Sequence, residues 1–199
     1  MYDGLDFNSD KYSSNHISRV IKTPQILVVD VSGKSFSIVA EIHGYLGFGE
    51  NNLKGIILNG CSSELYPRYK EMIEKNLNIK VYGYLPKTKE IEIGSRQLGL
   101  ITAAEIMDLR GKMMLLSNIA NETIEIENII KLAGSAEPLE SEDIVINKEI
   151  EGSINIAVGR DKCFCFYYED NFKLLEKLGA KITYFSPLYD KKLPENIDA

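Results

Sequence analysis

The side chains best suited to chemistry in this 199-residue chain are few and scattered. Its histidines are His16 and His43, and its cysteines are Cys61, Cys163 and Cys165. No cysteine pair has the C-x-x-C spacing of a metal knuckle, and neither imidazole has a ligand-spaced companion. A zinc-type site and a Cys–His nucleophile pair are therefore not expected. Cys163 and Cys165 alternate with Phe164 and Phe166, a setting that reads as buried, inert thiols. Cys61 could line a pocket, with nothing near it in sequence to lower its pKa.

Three polar groups carry more information. Gly33-Lys34-Ser35 follows an apolar run, as the end of a phosphate-binding loop does. The full loop needs a glycine four residues before the Gly-Lys pair so that successive amides can curl round phosphate, and that position is Val28. The segment therefore reads as a strand-to-helix turn. Asn59 closes another apolar run, and its amide offers both a donor and an acceptor, the combination an adenine edge requires. Asn59-Gly60 is equally a turn signal. Asp3-Gly4 is, by propensity alone, also a turn.

The elements that must position these groups follow from periodicity. Apolar runs of strand length alternate with helix-period segments, the pattern of parallel β-α-β units, so the fold class is α/β. Strands are expected at Ile26–Val31, Leu53–Leu58 and Ile79–Tyr84, the first buried on both faces. Helices are expected over Ser35–Leu46 and from a Ser62 or Ser63 cap to Asn76. Two helical segments, about Gly99–Leu116 and Glu122–Leu132, should pack on the sheet with Ile124, Ile129 and Ile130 near one face. Residues 135–153, rich in acidic residues, Ser, Gly and Pro138, read as a linker between residues 1–134 and 154–199. After it, a strand (Ile154–Val158), a helix (Tyr167–Leu178, closed by Gly179) and a strand (Lys181–Phe185) form a β-α-β opening too short to close a core alone. The net charge of −6 with interspersed signs gives no basic stripe for nucleic acid. No apolar run reaches the roughly 18 residues of a membrane span, and no signal segment follows Met1, so a soluble, cytoplasmic protein is expected.

One set of blocks has a family likeness. Tyr2-Asp3-Gly4, Ile26-Leu27-Val28-Val29-Asp30, Gly55-Ile56-Ile57-Leu58-Asn59, Gly83-Tyr84-Leu85-Pro86 and Arg96-Gln97-Leu98-Gly99-Leu100, in this order and spacing, resemble the ATP-dependent half of cobyrinic acid a,c-diamide synthases. These are glutamine-hydrolysing corrinoid amidoligases. The resemblance implies an internal stretch of such an enzyme: the C-terminal half of a P-loop-type, parallel-sheet ATPase/amidoligase domain, with the phosphate loop before Met1. It implies ATP and Mg²⁺ as cofactors, and an acyl phosphate, formed when a substrate carboxylate attacks the γ-phosphate, that ammonia displaces. Asp3 matches the family's Y-D-G acid, a catalytic residue and a possible Mg²⁺ ligand. Asn59 and Pro86 match an adenine pocket. Arg96 begins a family R-H-L-G-L run in which Gln97 replaces His, and could fork onto a corrin carboxylate. Ser14 matches a family S-T-A run continued here by Asn15 and His16, and as a residue reads first as a helix cap. Related cobyric acid synthases lack a Y-D-G of this kind.

The C-terminal block carries a second likeness. Ile156-Ala157-Val158-Gly159-Arg160-Asp161, Phe166-Tyr167-Tyr168, Gly179-Ala180 and Phe185-Ser186-Pro187-Leu188-Tyr189-Asp190 resemble the opening of a class I-like glutaminase domain, whose nucleophile and histidine lie further along in the family. The implied function is ATP- and glutamine-dependent amidation of the a and c acetates of cobyrinic acid in cobalamin biosynthesis, the fragment alone being inactive. The alternatives are amidation of a related tetrapyrrole, hydrogenobyrinate or nickel-sirohydrochlorin, and a non-catalytic nucleotide- or tetrapyrrole-binding module. Expected partners are the tetrapyrrole and glutamine or ammonia, with no nucleic acid and no membrane. The aromatic cluster Phe164, Phe166, Tyr167 and Tyr168 gives a route to a homodimer.

Overall fold

A computed structural model describes residues 1–5, 7–91, 106–140, 145 and 152–199. The chain is α/β with parallel sheets and divides into two compact units, one of residues 1–91 and 108–140 and one built on residues 152–199.

In the first unit, runs of Val, Ile and Leu form three parallel strands in the order β1 (Gln25–Asp30), β2 (Leu53–Asn59), β3 (Lys80–Leu85). Two crossover helices join them, α2 (Ser37–Gly47) and α3 (Tyr66–Asn76). Val29, Ile56, Leu58 and Val81 of the strands pack with Ile38, Ile42 and Ile73 of these helices, all of them buried. The register aligns Asp30 with Asn59 and Asn59 with Leu85, so the carboxyl ends of all three strands finish level.

Burial of β1 on both faces is not what the structure shows. Val29 is buried, whereas Val28 is 58% exposed. β1 is an edge strand of this sheet, and α2 and α3 cover the face that Val29 presents. Helix α3 begins at Tyr66, after a turn in which Ser62 takes the cap-like role: its carbonyl accepts from Tyr66 N at 3.0 Å and its hydroxyl from Leu65 N at 3.4 Å. A further helix, α1 (Ser14–Val20), precedes the sheet.

Helix α4 (Leu109–Thr123) runs past the expected break at Leu116, and α5 (Ile126–Ala133) starts later than expected. Residues 99–105 of the expected first segment lie outside the described residues. A long-range contact sets the break. The β2–β3 register slips between Ile56 and Ile57, which bulges β3 at Tyr82. Gly83 (φ +143°) then bridges Ile124, and Glu125 N donates to Tyr82 O at 2.7 Å. A Cβ on Gly83 would lie 2.3 Å from Thr123 O and 2.6 Å from Ile124 Cα, so only glycine lets the interhelix link approach. Glu125 pairs with Lys80 at 2.7 Å and Lys70 at 3.0 Å and accepts from Asn128 Nδ2 at 2.7 Å. Hydrogen bonding from Lys80, reinforced by Lys70 and Asn128 against the opposing cost of burial, pulls its carboxyl down to about 2. Ile124 and Ile129 are half-buried, but Ile130 is 58% exposed and does not share their packing.

The second unit pairs β4 (Ile154–Gly159) in parallel with β5 (Ala180–Phe185) through α6 (Glu169–Lys177). Only Phe172 of its described residues is buried. The last residues line the free edge of β4: Ala157 N donates to Ala199 O, and Asp198 N to Asn155 O, both at 2.8 Å. No helix among the described residues is long and apolar enough to cross a membrane.

Candidate functional site at the carboxyl edge of the sheet

Open parallel sheets bind ligands beyond the carboxyl ends of their strands, because the loops there leave side chains and backbone groups unpaired by the ladder. In the first unit that edge consists of Asp30–Ser32, Asn59–Cys61 and Leu85–Lys87. Val31 N donates to Asn59 O at 3.0 Å, and Cys61 N to Leu85 O at 3.1 Å, so hydrogen bonding persists one residue beyond β1 and two beyond β2 and fixes their loops. Asn59 is exposed on this edge, and Pro86 is half-buried at the end of the neighbouring strand, one residue beyond the register partner of Asn59. The structure thus places the two residues singled out for adenine side by side.

Two further side chains, absent from the sequence-based site, converge there. Gly60 (φ +68°) follows Asn59, and a Cβ on it would lie 2.6 Å from Ser32 Oγ, 3.1 Å from Asp30 Oδ1 and 3.3 Å from Lys87 Cε. Asp30 Oδ1 accepts from Ser32 N at 2.8 Å. The Ser32 hydroxyl and amide, then Lys87 and Lys34, hold the Asp30 carboxyl below the usual range, against a smaller opposing effect of burial. Asp30 and Lys87 are both exposed. A charged residue closing a β-branched run was the available signal for Asp30. Cys61 is buried, which raises its thiol pKa, in line with an inert thiol.

Gly33-Lys34-Ser35 is a strand-to-helix turn, as expected, with Val28 inside β1. Lys34 pairs with Glu41 at 2.6 Å and its carbonyl accepts from Tyr69 OH at 2.5 Å.

Asp3 occupies a different place. It is exposed and lines two adjoining cavities, of about 400 and 390 Å³. One is walled by residues 2–5, residues 7–10 and Phe48, the other by Glu41, Gly44, Tyr45 and Phe48 of α2 and its end. Tyr2 anchors both, its hydroxyl donating to Tyr45 O at 2.6 Å and its ring edge-on to Phe48 at 5.1 Å. Neither cavity reaches Asn59 or Pro86. Among the described residues no group of three or more His, Cys, Asp or Glu is arranged to hold a metal ion.

The expected cap at Ser14 is corrected by one residue. Ser13 is extended (φ −78°, ψ 166°) and its hydroxyl accepts from His16 N at 3.1 Å, whereas Ser14 is the first helical residue and is exposed. The cap needs an extended backbone, which the turn at residues 11–12 imposes on Ser13. Arg96 lies outside the described residues. Cys163 and Cys165, expected buried, are both exposed. The loop after β4 turns outward round Asp161, which accepts from Cys163 N at 2.8 Å, Phe164 N at 3.1 Å, Ser186 Oγ at 2.8 Å and Leu188 N at 3.0 Å, leaving the thiols on the rim.

Along its whole length the chain is 42% identical, over 198 residues, to the cobyrinate a,c-diamide synthase of Clostridium tetani, of which it covers 44%. It is 39% identical over 209 residues to that of Fusobacterium nucleatum, covering 98% of this chain and 46% of that protein. To that of Thermoplasma volcanium it is 35% identical over 199 residues, covering all of this chain and 43% of the relative. No family model and no solved structure matches the chain. The resemblance carried by the Y-D-G and strand-end blocks is therefore shown along the entire sequence, and the chain spans less than half the length of these relatives.

Proposed function

We propose, from a chain similar throughout to cobyrinate a,c-diamide synthases, that it forms part of a cytoplasmic ligase that amidates the a and c acetate side chains of cobyrinic acid in cobalamin biosynthesis. Similarity along the whole of this chain to cobyrinate a,c-diamide synthases is the observation that carries this reading. In it, ATP activates a substrate carboxylate as an acyl phosphate, and ammonia from glutamine displaces phosphate to leave the amide. Such transfer depends chiefly on positioning and on neutralising spread negative charge.

The residues present fit a nucleotide's base. Asn59, exposed at the level strand ends, has both a free donor and a free acceptor face to offer adenine, and the Pro86 ring supplies an apolar side. Asp3 fits a Mg²⁺ bound mainly by phosphates and water, for which one carboxylate is enough. Asp3 would hold such an ion, and the chemistry it would supply is neutralisation of the negative charge that develops in phosphoryl transfer. Of the neighbouring acids, Glu41 is committed to Lys34 and Asp10 to Arg19, so Asp3 alone is uncommitted to an ion pair among the described residues of its two cavities. Arg96 and Ser14 are assigned to the corrinoid side of the site on the family match alone. The exposed rings of Phe166 and Tyr168 offer a surface for self-association.

The test is replacement of the matching stretch of the Clostridium tetani relative by this chain, with amide formation on cobyrinic acid followed by mass spectrometry in the presence of ATP and glutamine. The chimera is expected to form the diamide, and Asp3→Asn to abolish it. A folded chimera that makes no amide, or whose turnover ignores Asp3→Asn, would sink the respective assignment. The chain alone is expected to release ADP only at background.

A further inference from the structure

Beyond the base-binding pair, the carboxyl edge holds two opposite charges that no ion pair among the described residues consumes. Asp30 is the register partner of Asn59, and Lys87 follows Pro86. Lys87 reaches back from the β3 loop until its Cε is 3.3 Å from the place a Gly60 Cβ would take, while Asp30 Oδ1 is 3.1 Å from that place. The two side chains thus flank Gly60 immediately beside Asn59. Neither forms an ion pair among the described residues. An added methyl at Gly60 would strike Ser32 Oγ at 2.6 Å, so glycine is what allows this convergence.

The two charges complement the sugar and phosphate that a nucleotide carries beyond its base. Asp30 has one oxygen engaged by the Ser32 amide and is exposed, so its other oxygen can accept from a ligand. An ionised carboxylate accepts only, which selects hydroxyl donors and rejects anions. Lys87 is a mobile ammonium with three donors, suited to a phosphate. The bland alternative is that Asp30 merely fastens its own turn and Lys87 merely screens it.

We propose that Asp30 and Lys87 hold the sugar hydroxyl and the adjoining phosphate of the nucleotide whose base meets Asn59 and Pro86. This rests on the nucleotide reading above. It adds two positioning residues at the sheet edge, Asp30 at the end of β1 and Lys87 in the loop after β3, on either side of the strand that Asn59 ends.

The experiment titrates this chain with adenine, adenosine and AMP by ligand-observed NMR, in wild type, Asp30→Asn, Lys87→Met and Asn59→Ala. Wild type should bind in the order AMP, adenosine, adenine, with roughly 3–10-fold between steps. Lys87→Met should erase the AMP step and Asp30→Asn the adenosine step, each leaving adenine affinity unchanged. Asn59→Ala should weaken all three ligands together. Asp30→Asn keeps an acceptor for Ser32 N and so retains the turn. If it lowers stability and leaves the ladder intact, Asp30 is structural and its assignment falls. If wild type binds adenine as well as AMP, the proposal falls while the Asn59–Pro86 reading survives. If wild type binds none of the three, both fall together.

Discussion

The two units begin from the same local pattern, a β-branched strand, a helix and a parallel strand, yet they hold themselves together differently. In the first unit a third strand and a second crossover helix bury Ile38, Ile42, Ile56, Leu58, Ile73 and Val81 completely or nearly so. In the second, two strands and one helix bury Phe172 alone among the described residues. Its order rests instead on polar pins at the strand ends. Asp161 collects four donors, Tyr167 OH donates to Gly159 O at 2.7 Å, and Arg160 lies 4.8 Å over Tyr184. Strand pairing is thus a local property, whereas a core is a matter of how many layers close over it.

The sharpest test of that contrast is a matched pair of truncations. Leu58→Ala opens a cavity in a site with no exposed surface and should cost the first unit about 3–4 kcal/mol. Ile156→Ala, at a half-buried position of β4, should cost the second about 1 kcal/mol. Urea unfolding followed by hydrogen exchange at each sheet reads the two separately. Comparable losses would show that the second unit has a core after all.

Next in size is Gly83→Ala. The new Cβ would meet the backbone of Thr123 and Ile124, which cannot swing aside, and φ +143° is strained for any L side chain. A loss of about 2–3 kcal/mol is expected, with protection falling at α4 and α5 before β1. A neutral outcome would mean that the interhelix link is not held by the β3 bulge.

These two positions also mark what was and was not readable in the sequence. The strands were, because buried parallel strands write near-continuous β-branched runs, and Ile26–Val31, Leu53–Leu58 and Ile79–Tyr84 each fall within a residue or two of β1, β2 and β3. The end of α4 was not, since Thr123 stops a helix for a reason sited forty residues earlier at Gly83. The position of Asn59 and Pro86 at neighbouring strand ends was legible through the family match and the rule of strand ends. The convergence of Asp30 and Lys87 beside them was not legible, because what unites them is the absence of a side chain at Gly60, which periodicity does not register. Cys163 and Cys165 were misjudged from their aromatic neighbours, which need a second layer to bury anything.

A smaller and more local effect is expected at Asp161. Asp161→Asn keeps the shape but replaces acceptor-only oxygens by an amide that cannot serve all four donors. Partial burial opposes ionisation here, but hydrogen bonds from Leu188, Cys163, Ser186 and Phe164 outweigh it and hold the carboxyl below its ordinary range. The variant should lose amide protection at Cys163, Phe164 and Leu188 while the first unit stays unchanged. Loss of protection throughout β1–β3 would contradict the separate fastening of the two units.

The smallest effect concerns acid. Glu125 ties α5 to β3 through Lys80 and Lys70, and its carboxyl is lowered from 4.5 to about 2. A depressed carboxylate stabilises the fold at pH above its unfolded value, so the contribution is complete above about 4.5. It is lost as pH falls from there through about 2, where the folded carboxyl takes its proton. The side chain is 32% exposed, so solvent screening reduces the linkage to about 1 kcal/mol. Glu125→Gln should therefore be less stable than wild type by about that amount at pH 6, and the gap should close as pH approaches 2. Urea midpoints measured across this range decide the matter. A gap that persists unchanged at pH 2 would assign the loss to the hydrogen bonds with Asn128 and the lysines rather than to charge, and would remove the pH-dependent element from the junction between β3 and the α4–α5 pair.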